Sequence, residues 1–296
     1  MTSELSDFAA RLRELISNRQ SAVGNRQFSE LALELFALQF NYNVAYRKIC
    51  QARGATPKVV EDWTQIPAVP TAAFKELELS CIPPDERIAV FYSSGTTEQK
   101  PSRHFHNAES LALYEASLWS WFEPNVLSDF RFPISDFRLI CLTPPPSQAP
   151  HSSLVHMFET VRSRACESAD RSFFGMVGAD GSWTLDFDAV TTALKSTIGN
   201  RQSAMLLGTA FSFVHLLDFF AEHNLRFQLP PGSRVMETGG YKNRSRTMPK
   251  EELHALITER LGIPAEVRIQ VKKPAAAESC SAACPIRAPN PDKGLE

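Results

Sequence analysis

The apolar positions of this chain follow two periods, one typical of helices and one typical of strands. Near the N-terminus an apolar residue recurs every three or four positions, which predicts an amphipathic helix. This first stripe comprises Leu5, Phe8, Leu12, Leu15 and Ile16. A second helical pattern runs from about Phe28 to Ile49, and Gly54 is a natural end for it. Residues 55–70 are punctuated by proline and predicted to be extended, with Trp63 and Ile66 holding them to the body.

Farther along the chain, short apolar runs alternate with helical patterns. The runs expected to form strands are Ile88–Tyr92, Arg138–Thr143, Ser172–Val177, Trp183–Leu185, Ser203–Leu207, Ser233–Glu237 and Val267–Val271. The helical patterns are Asn107–Phe122, Ser152–Arg162, Phe187–Ile198, Phe211–His223 and Pro249–Leu261. Strand, turn and helix repeat at least three times, which predicts an α/β fold with largely parallel sheets flanked by helices.

In such sheets ligands bind beyond the carboxyl ends of the strands, and three loops are expected there. Residues 93–102 are rich in hydroxyls and suit phosphates, whereas residues 208–210 precede an apolar helix face that suits an acyl chain. Residues 238–242 contain two glycines that would let a planar base lie on the backbone, with Tyr241 available to stack. Two alternatives stay open: the second loop could be a simple strand-to-helix turn, and the third could be a hinge.

The first loop carries the most specific chemistry. It reads Ser93-Ser94-Gly95-Thr96-Thr97-Glu98-Gln99-Lys100-Pro101-Ser102-Arg103. Hydroxyls and the backbone N–H groups exposed at a glycine can donate together to phosphate oxygens, and the two cations can neutralise them. No second glycine precedes a Lys-Ser or Lys-Thr pair, so this is not a Walker loop. A polar surface turn is the alternative, but the order Ser-Ser-Gly-Thr-Thr before Lys-Pro favours phosphate binding.

Composition narrows the class of protein. The chain has 296 residues, 43% of them hydrophobic, which is enough for one large domain or two ordinary ones. A net charge of −2 without a basic tract does not favour nucleic acid. The start of the chain lacks the pattern of a signal peptide, and no apolar stretch is long enough for a membrane span, so we expect a cytoplasmic protein.

The metal-ligating residue types are scattered. Six cysteines include no Cys-x-x-Cys pair, so neither zinc nor a disulfide framework is predicted. His104 and His106 alternate as in a strand, and His151 and His156 are five residues apart. Neither spacing is that of a helical metal pair, so these histidines are expected to have structural partners and no metal site is predicted.

The phosphate loop resembles that of adenylate-forming enzymes. More narrowly, the chain from about Phe28 to Leu261 resembles the acyl-protein synthetases of bacterial bioluminescence, the LuxE family. The matching stretches are Ile66–Pro70 through Phe74–Lys75, Pro101–Arg103, Leu207–Phe211 and Glu237–Lys242. Two positions depart from the usual pattern: Glu98 replaces a glycine, and Ser102 stands where many relatives have lysine.

The resemblance implies an ATP-dependent activation of a fatty acid, or another small carboxylic acid, as acyl-AMP for transfer to a protein thiol. It implies ATP and Mg²⁺ as cofactors and an acyl-reductase or acyl-carrier protein as a possible partner. The catalytic residues it assigns are Thr96, Thr97 and Lys100. The nucleotide-binding residues it assigns are Ser93, Ser94, Gly95, Thr238, Gly239, Gly240 and Tyr241. The substrate-binding residues it assigns are Gly208, Thr209 and Ala210.

The family pattern stops after the last predicted strand. Relatives continue there into Tyr-Gly-x-Ser/Thr-Glu, whose glutamate helps to hold magnesium, but here Lys272–Ala277 follows and the glutamate is not found. We therefore expect an incomplete N-terminal domain over residues 1–271 and a disordered tail over 272–296. A truncation, a reading-frame change or a diverged non-catalytic protein would each produce this pattern.

The missing motif also bears on activity. Several preorganised groups would be absent at once, so the chain alone is expected to bind nucleotide weakly and turn over very little. The alternative functions are a nucleotide-binding, acyl-binding or partner subunit without turnover, and a CoA ligase of the phenylacetate type.

Overall fold

The computed structural model describes residues 2–18, 23–93, 100–127, 137–165, 172–239, 248–264 and 268–271. They fall into two compact units, one ending at Trp121 and one beginning at Phe122. The helices are α1 (Ser3–Ser17), α2 (Asn25–Tyr42), α3 (Val44–Ala52), α4 (Ala73–Glu76), α5 (Ala108–Phe122), α6 (Ser153–Ala165), α7 (Phe187–Gly199), α8 (Ala210–Glu222) and α9 (Lys250–Leu261). The strands are β1 (Ala89–Tyr92), β2 (Arg103–His106), β3 (Phe137–Cys141), β4 (Gly175–Val177), β5 (Trp183–Leu185), β6 (Ser203–Thr209), β7 (Arg234–Thr238) and β8 (Arg268–Val271).

Helices α1 and α2 of the first unit pack through the predicted apolar stripe. Leu5, Phe8 and Leu12 of α1 share a buried cluster with Leu31 and Leu38 of α2, so the helical interpretation of this region is confirmed. Residues 55–70 are held to the body as expected, because the ring of Trp63 meets Phe28 edge to face at 5.2 Å between centroids. They are not extended throughout, since Trp63–Gln65 form a short 3-10 helix capped by Asp62.

The helix predicted from Phe28 to Ile49 is in fact two helices, and Asn43 separates them. Asn43 has an extended backbone, and its side-chain oxygen accepts a hydrogen bond from the backbone N–H of Tyr46 at 3.0 Å. An asparagine that caps a new helix in this way satisfies a backbone donor that a continuous helix would have satisfied internally. The apolar period continues across the break, so periodicity alone did not reveal it.

Strands β1 and β2 form an antiparallel hairpin in the first unit. Residues 93–102 therefore connect two antiparallel neighbours, and the prediction that this loop follows a strand of a parallel sheet is wrong. The physical reason is that the side chains of Arg103–His106 alternate as in a strand, so this segment pairs directly with β1. In the resulting register Tyr92 lies opposite Arg103. The hairpin lies over α5, whose first turn is capped by Asn107 as predicted, with the backbone N–H of Ser110 donating to the asparagine Oδ1 at 2.9 Å.

The second unit contains a parallel sheet of order β3-β6-β7-β8 and a small antiparallel hairpin of β4 and β5. Side chains of β3, β6 and β7 share one buried cluster with helices α7, α8 and α9. The α/β fold with a largely parallel sheet is thus confirmed. Within the ranges that the structure describes, no helix is long and apolar enough to span a bilayer.

Candidate functional site

The carboxyl ends of β6 and β7 are adjacent in the sheet of the second unit. Gly208 pairs with Glu237, and Thr209 pairs with Thr238. The Thr238 hydroxyl donates to the carbonyl oxygen of Gly208 at 3.2 Å, which ties the two strand ends together. Residues far apart in sequence are therefore neighbours at an edge where ligands of α/β sheets characteristically bind.

Gly208 lies inside the last part of β6, not in the predicted turn. A Cβ at this position would stand 3.1 Å from Cε2 of Phe213 and 3.2 Å from Cβ of Leu142. That spacing is tighter than ordinary van der Waals contact, so the glycine lets α8 approach the sheet closely. The packing supplies a structural reason for the glycine besides the predicted contact with substrate.

Thr209 caps α8. Its hydroxyl oxygen accepts a hydrogen bond from the backbone N–H of Ser212 at 3.1 Å, and the two hydroxyls lie 2.8 Å apart. Ala210 begins the helix and is buried. The strand-to-helix interpretation of Gly208–Ala210 therefore describes the local geometry, and Thr209, which is only partly buried, is the member whose side chain lies nearest to solvent.

The helix face assigned to an acyl chain belongs to the core. Phe213, Leu216 and Leu217 are each buried among the side chains of β6, β7 and α9. Phe211, from the same predicted face, instead packs its ring against His215, 4.2 Å away. Most of that face is therefore occupied by the protein itself.

Glu237 is a buried carboxylate at this edge that the sequence interpretation did not select as a site residue. It is 4% exposed, and one of its oxygens lies 3.7 Å from Nε2 of His254 on α9. Its other oxygen lies 3.7 Å from the position that a Cβ on Gly239 would take, so the carboxylate lies close to the predicted base-binding turn. A buried charge is costly unless it is compensated. The signal in the sequence that could have identified Glu237 is an acid at the end of an apolar strand.

The first unit, considered by itself, contains a second group of predicted residues, at the base of the β1–β2 connection. The backbone N–H of Ser93 donates to the carbonyl of Ser102 at 3.1 Å, and the backbone N–H of Ser102 donates to the Ser93 hydroxyl at 3.0 Å. Lys100 is exposed. These bonds close the loop at its base, so the Ser93 hydroxyl acts as a structural acceptor, and its role in phosphate binding stays a prediction.

Several predicted site residues lie outside the described residues. They are Ser94, Gly95, Thr96, Thr97, Gly240 and Tyr241. The predicted tail over residues 272–296 also lies outside them. The assignments to these residues stay predictions from the sequence.

Two histidines of β2 lie on the buried side of the hairpin. Nε2 of His104 lies 3.1 Å from the Ser102 hydroxyl, and its ring stacks on Phe74 with centroids 5.4 Å apart. Burial lowers the pKa of His104 below its ordinary value. Nδ1 of His106 lies 3.3 Å from the hydroxyl of Ser110. As expected, both histidines have structural partners.

The family resemblance implies Mg²⁺, which would require suitable ligand side chains at the site. Mg²⁺ takes hard oxygen ligands in octahedral geometry, with one or two carboxylates and substrate phosphates. Among the residues with described positions, no three His, Cys, Asp or Glu side chains converge on one point. Glu237, the buried carboxylate at the sheet edge, is paired with His254. Among the described residues, the sheet edge therefore supplies one buried carboxylate, Glu237, and not a complete set of magnesium ligands.

Comparison with solved structures shows that the fold is similar to that of a CoA ligase. The chain is similar to a 2-hydroxyisobutyryl-CoA ligase, solved in an open conformation with 2-HIB-AMP and CoA, with a TM-score of 0.53 and 13% sequence identity. The match covers 83% of this chain and 49% of the ligase, so the chain spans about half the length of that relative.

The sequence itself assigns the family. Residues 2–271 match the family described as "Acyl-protein synthetase, LuxE", and the chain belongs to that family. No curated protein matches the chain by sequence.

Proposed function

We propose that this protein activates a carboxylic acid, with a fatty acid as the expected substrate, by ATP-dependent formation of an acyl adenylate for transfer to a protein thiol. The observation that carries the proposal is the match to the LuxE family over residues 2–271. The ligase with a similar fold was solved with an acyl adenylate, which agrees with this reaction class.

In the proposed first step, a carboxylate oxygen of the acid attacks the α-phosphorus of ATP. The bond from that phosphorus to the bridging oxygen breaks, and pyrophosphate leaves with its charge. Thr96, Thr97 and Lys100 would stabilise this charge electrostatically, together with Ser93, Ser94 and the backbone at Gly95. In the second step a thiolate attacks the acyl carbon, the bond to the AMP oxygen breaks, and AMP departs.

The nucleotide is proposed to bind with its base against Thr238, Gly239, Gly240 and Tyr241. Two features of the described geometry support this part of the proposal. Gly239 is exposed directly after β7, so its backbone can be approached by a flat ring. The Thr238 hydroxyl is already bonded to Gly208, which makes the strand end rigid before a ligand arrives.

Two acceptors of the acyl group are compatible with the proposed activation of the acid. The family name points to a protein as acceptor, and we propose that the acceptor is a thiol of an acyl-reductase or acyl-carrier partner. The similar ligase was solved with CoA, which makes CoA the second acceptor to test.

A second candidate function is binding of nucleotide or acyl ligand without turnover. The specific observation that favours it is the sequence after β8, where Lys272-Lys273-Pro274 stands in place of the family motif that holds magnesium. Loss of one preorganised contact costs a factor of about 100 to 1,000 in rate, so the loss of several would leave very slow chemistry.

The test traps the adenylate with hydroxylamine in the presence of ATP, Mg²⁺ and a fatty acid. Acyl hydroxamate formed without CoA, and lost in Thr96→Val, would support the proposed function. Formation of acyl-CoA, dependent on added CoA, would support the CoA-ligase alternative. ATP binding without hydroxamate, and without fatty-acid-dependent ATP–pyrophosphate exchange, would overturn the catalytic proposal in favour of binding alone.

A further inference from the structure

A hydrogen-bonded chain runs from the base of the β1–β2 loop into the interior of the hairpin. Ser93 and Ser102 are bonded to each other through two backbone N–H groups, at 3.1 and 3.0 Å. The hydroxyl of Ser102 then lies 3.1 Å from Nε2 of His104. The chain therefore links both ends of the loop to a histidine of β2.

Each member of this chain has its position fixed by packing. Ser102 is 7% exposed, which limits the directions in which its hydroxyl can turn. The His104 ring stacks on Phe74 of α4, with an angle of 29° between the planes. Phe74 also lies in one of the stretches that resemble the family, so the stacking partner of the histidine comes from a family-like segment.

We propose that His104 is a positioning residue: its Nε2–H donates to the oxygen of Ser102 and turns the Ser102 hydroxyl outward as a donor to a phosphate oxygen. The inference rests on the proposed function, because it needs an anionic phosphate near the base of the loop. It adds two residues, Ser102 and His104, to the phosphate-binding group assigned from sequence.

The hydrogen-bonding capacities of the two side chains decide where the Ser102 hydrogen points. A serine hydroxyl has one hydrogen and two lone pairs, and a neutral imidazole has one donor and one acceptor nitrogen. If Nε2 accepts, the hydrogen of Ser102 is used internally and its oxygen faces the anion with lone pairs only. If Nε2 carries the hydrogen, the serine hydrogen is free for the anion, and the arrangement becomes attractive.

Burial supports a neutral ring. The pKa of His104 is lowered because its surroundings disfavour the imidazolium form. A neutral ring can adopt either tautomer, so an anion that accepts from Ser102 would select the Nε2–H form. The neutral serine–histidine pair would thus provide the donor to the anion.

The first unit also contains a matched control. Ser110 and His106 form a second serine–histidine pair, 3.3 Å apart, within the same unit. His106 is buried against Phe91, with ring centroids 4.9 Å apart, and Ser110 lies in the first turn of α5 and not at the base of the loop. Loss of this second pair should affect stability without affecting phosphate affinity.

The experiment measures binding of ATP, inorganic triphosphate and adenosine by titration calorimetry, with the unfolding midpoint of each variant recorded beside it. Ser102→Ala should weaken ATP and triphosphate by about tenfold to a hundredfold, the usual effect of losing a hydrogen bond to a charged group. His104→Leu should weaken both by about threefold to tenfold, because the hydroxyl remains but loses its orientation. Adenosine affinity should not change in either variant.

Rescue separates positioning from packing. The amide N–H of glutamine is as many bonds from Cβ as Nε2 of histidine is, so His104→Gln can still donate to Ser102. This variant should restore triphosphate affinity to within about twofold of the unmodified protein, a difference smaller than the effect of losing one hydrogen bond. The double variant Ser102→Ala/His104→Leu should bind triphosphate no more weakly than Ser102→Ala, since His104 acts only through Ser102. Ser110→Ala should bind triphosphate as the unmodified protein does.

Failure of this inference differs from failure of the proposed function. If the unmodified protein binds ATP, Thr96→Val weakens it, and folded Ser102→Ala and His104→Leu bind normally, the proposed function stands and the inference is wrong. If His104→Leu and His104→Gln are equally weak, the ring acts through packing and the positioning role is also wrong. If the unmodified protein binds neither ATP nor triphosphate, both proposals fall.

Discussion

The sheet edge of the second unit and the hairpin of the first are built by different interactions. At the sheet edge, residues are held by burial: Leu206, Phe213 and Leu216 are completely inaccessible to solvent. In the hairpin, one side of β1 faces solvent, with Ile88 65% and Tyr92 41% exposed, and the base of the loop is held by serine hydrogen bonds. Substitutions at the sheet edge should therefore reduce stability, whereas substitutions at the loop should reduce ligand affinity.

The largest effect is expected for Phe213→Ala in the second unit. Removing a fully buried phenylalanine deletes apolar contact and leaves a cavity, which typically costs about 3–5 kcal/mol of unfolding free energy. Urea denaturation followed by circular dichroism would measure it. Tyr92→Ala in the exposed part of the hairpin is the contrast, with a change within about 0.5 kcal/mol. Equal losses in the two variants would contradict the comparison.

Thr96→Val tests the hairpin side of the comparison. The threonine is predicted from sequence to donate to an ATP phosphate, so its loss should weaken ATP binding by about 1–3 kcal/mol. Because the proposed role is in binding, the unfolding midpoint should stay the same. Calorimetric titration with ATP provides the measurement, and undiminished affinity in a folded variant would remove Thr96 from the site.

Thr209→Ala sharpens the comparison, because Thr209 is both a predicted substrate contact and the observed cap of α8. Loss of the cap should cost about 0.5–2 kcal/mol of stability. Thr209→Ser keeps the hydroxyl that accepts from Ser212 and should stay close to the unmodified protein. If the alanine variant is as stable as the serine variant, the cap contributes nothing and only a ligand role would remain.

The smallest effect concerns the pH dependence of the hairpin. The folded-state pKa of His104 lies below its ordinary value of 6.5, so the unfolded chain takes up a proton first as the pH falls. The stability that depends on the neutral ring is therefore fully present above pH 6.5 and is lost as pH falls from there toward the folded-state pKa.

The comparison variant for this prediction is His104→Gln, which cannot titrate. The difference in unfolding free energy between the two proteins should move in favour of the glutamine variant as the pH is lowered through this range. All other groups titrate alike in both proteins, so a difference that does not vary with pH would show that His104 is not protonated on unfolding in this window.

The sequence predicted most of the second unit correctly because its signals are local. The apolar runs of β3, β6 and β7 and the intervening helical periods were sufficient to infer a parallel sheet. Errors occurred at single positions where the local structure departs from the pattern. Asn43 interrupts a helix whose apolar pattern is continuous. Gly208, predicted in a turn, continues β6 as far as Thr209.

In the candidate site, too, features with a local signal in the sequence were predicted and the others were missed. Residue types alone indicated a hydroxyl-rich loop and a Gly-Gly turn, and the family match agrees with the resemblance that these stretches carried. Glu237 was not selected, because a single acid at the end of a strand has no distinctive spacing. Its burial beside His254 became visible only when α9 packed on β7.

By itself, the sequence determined the family, the α/β class and the alternation of strands and helices in the second unit, because these depend on residue type and on periods within a few turns of chain. The tertiary structure alone decided that β3 pairs with β6, that Gly208 lies beside Glu237 and that Phe74 stacks on His104. Each of these depends on which strands and helices become neighbours. That choice is made by burial and backbone pairing over the whole unit, and no short stretch of sequence contains it.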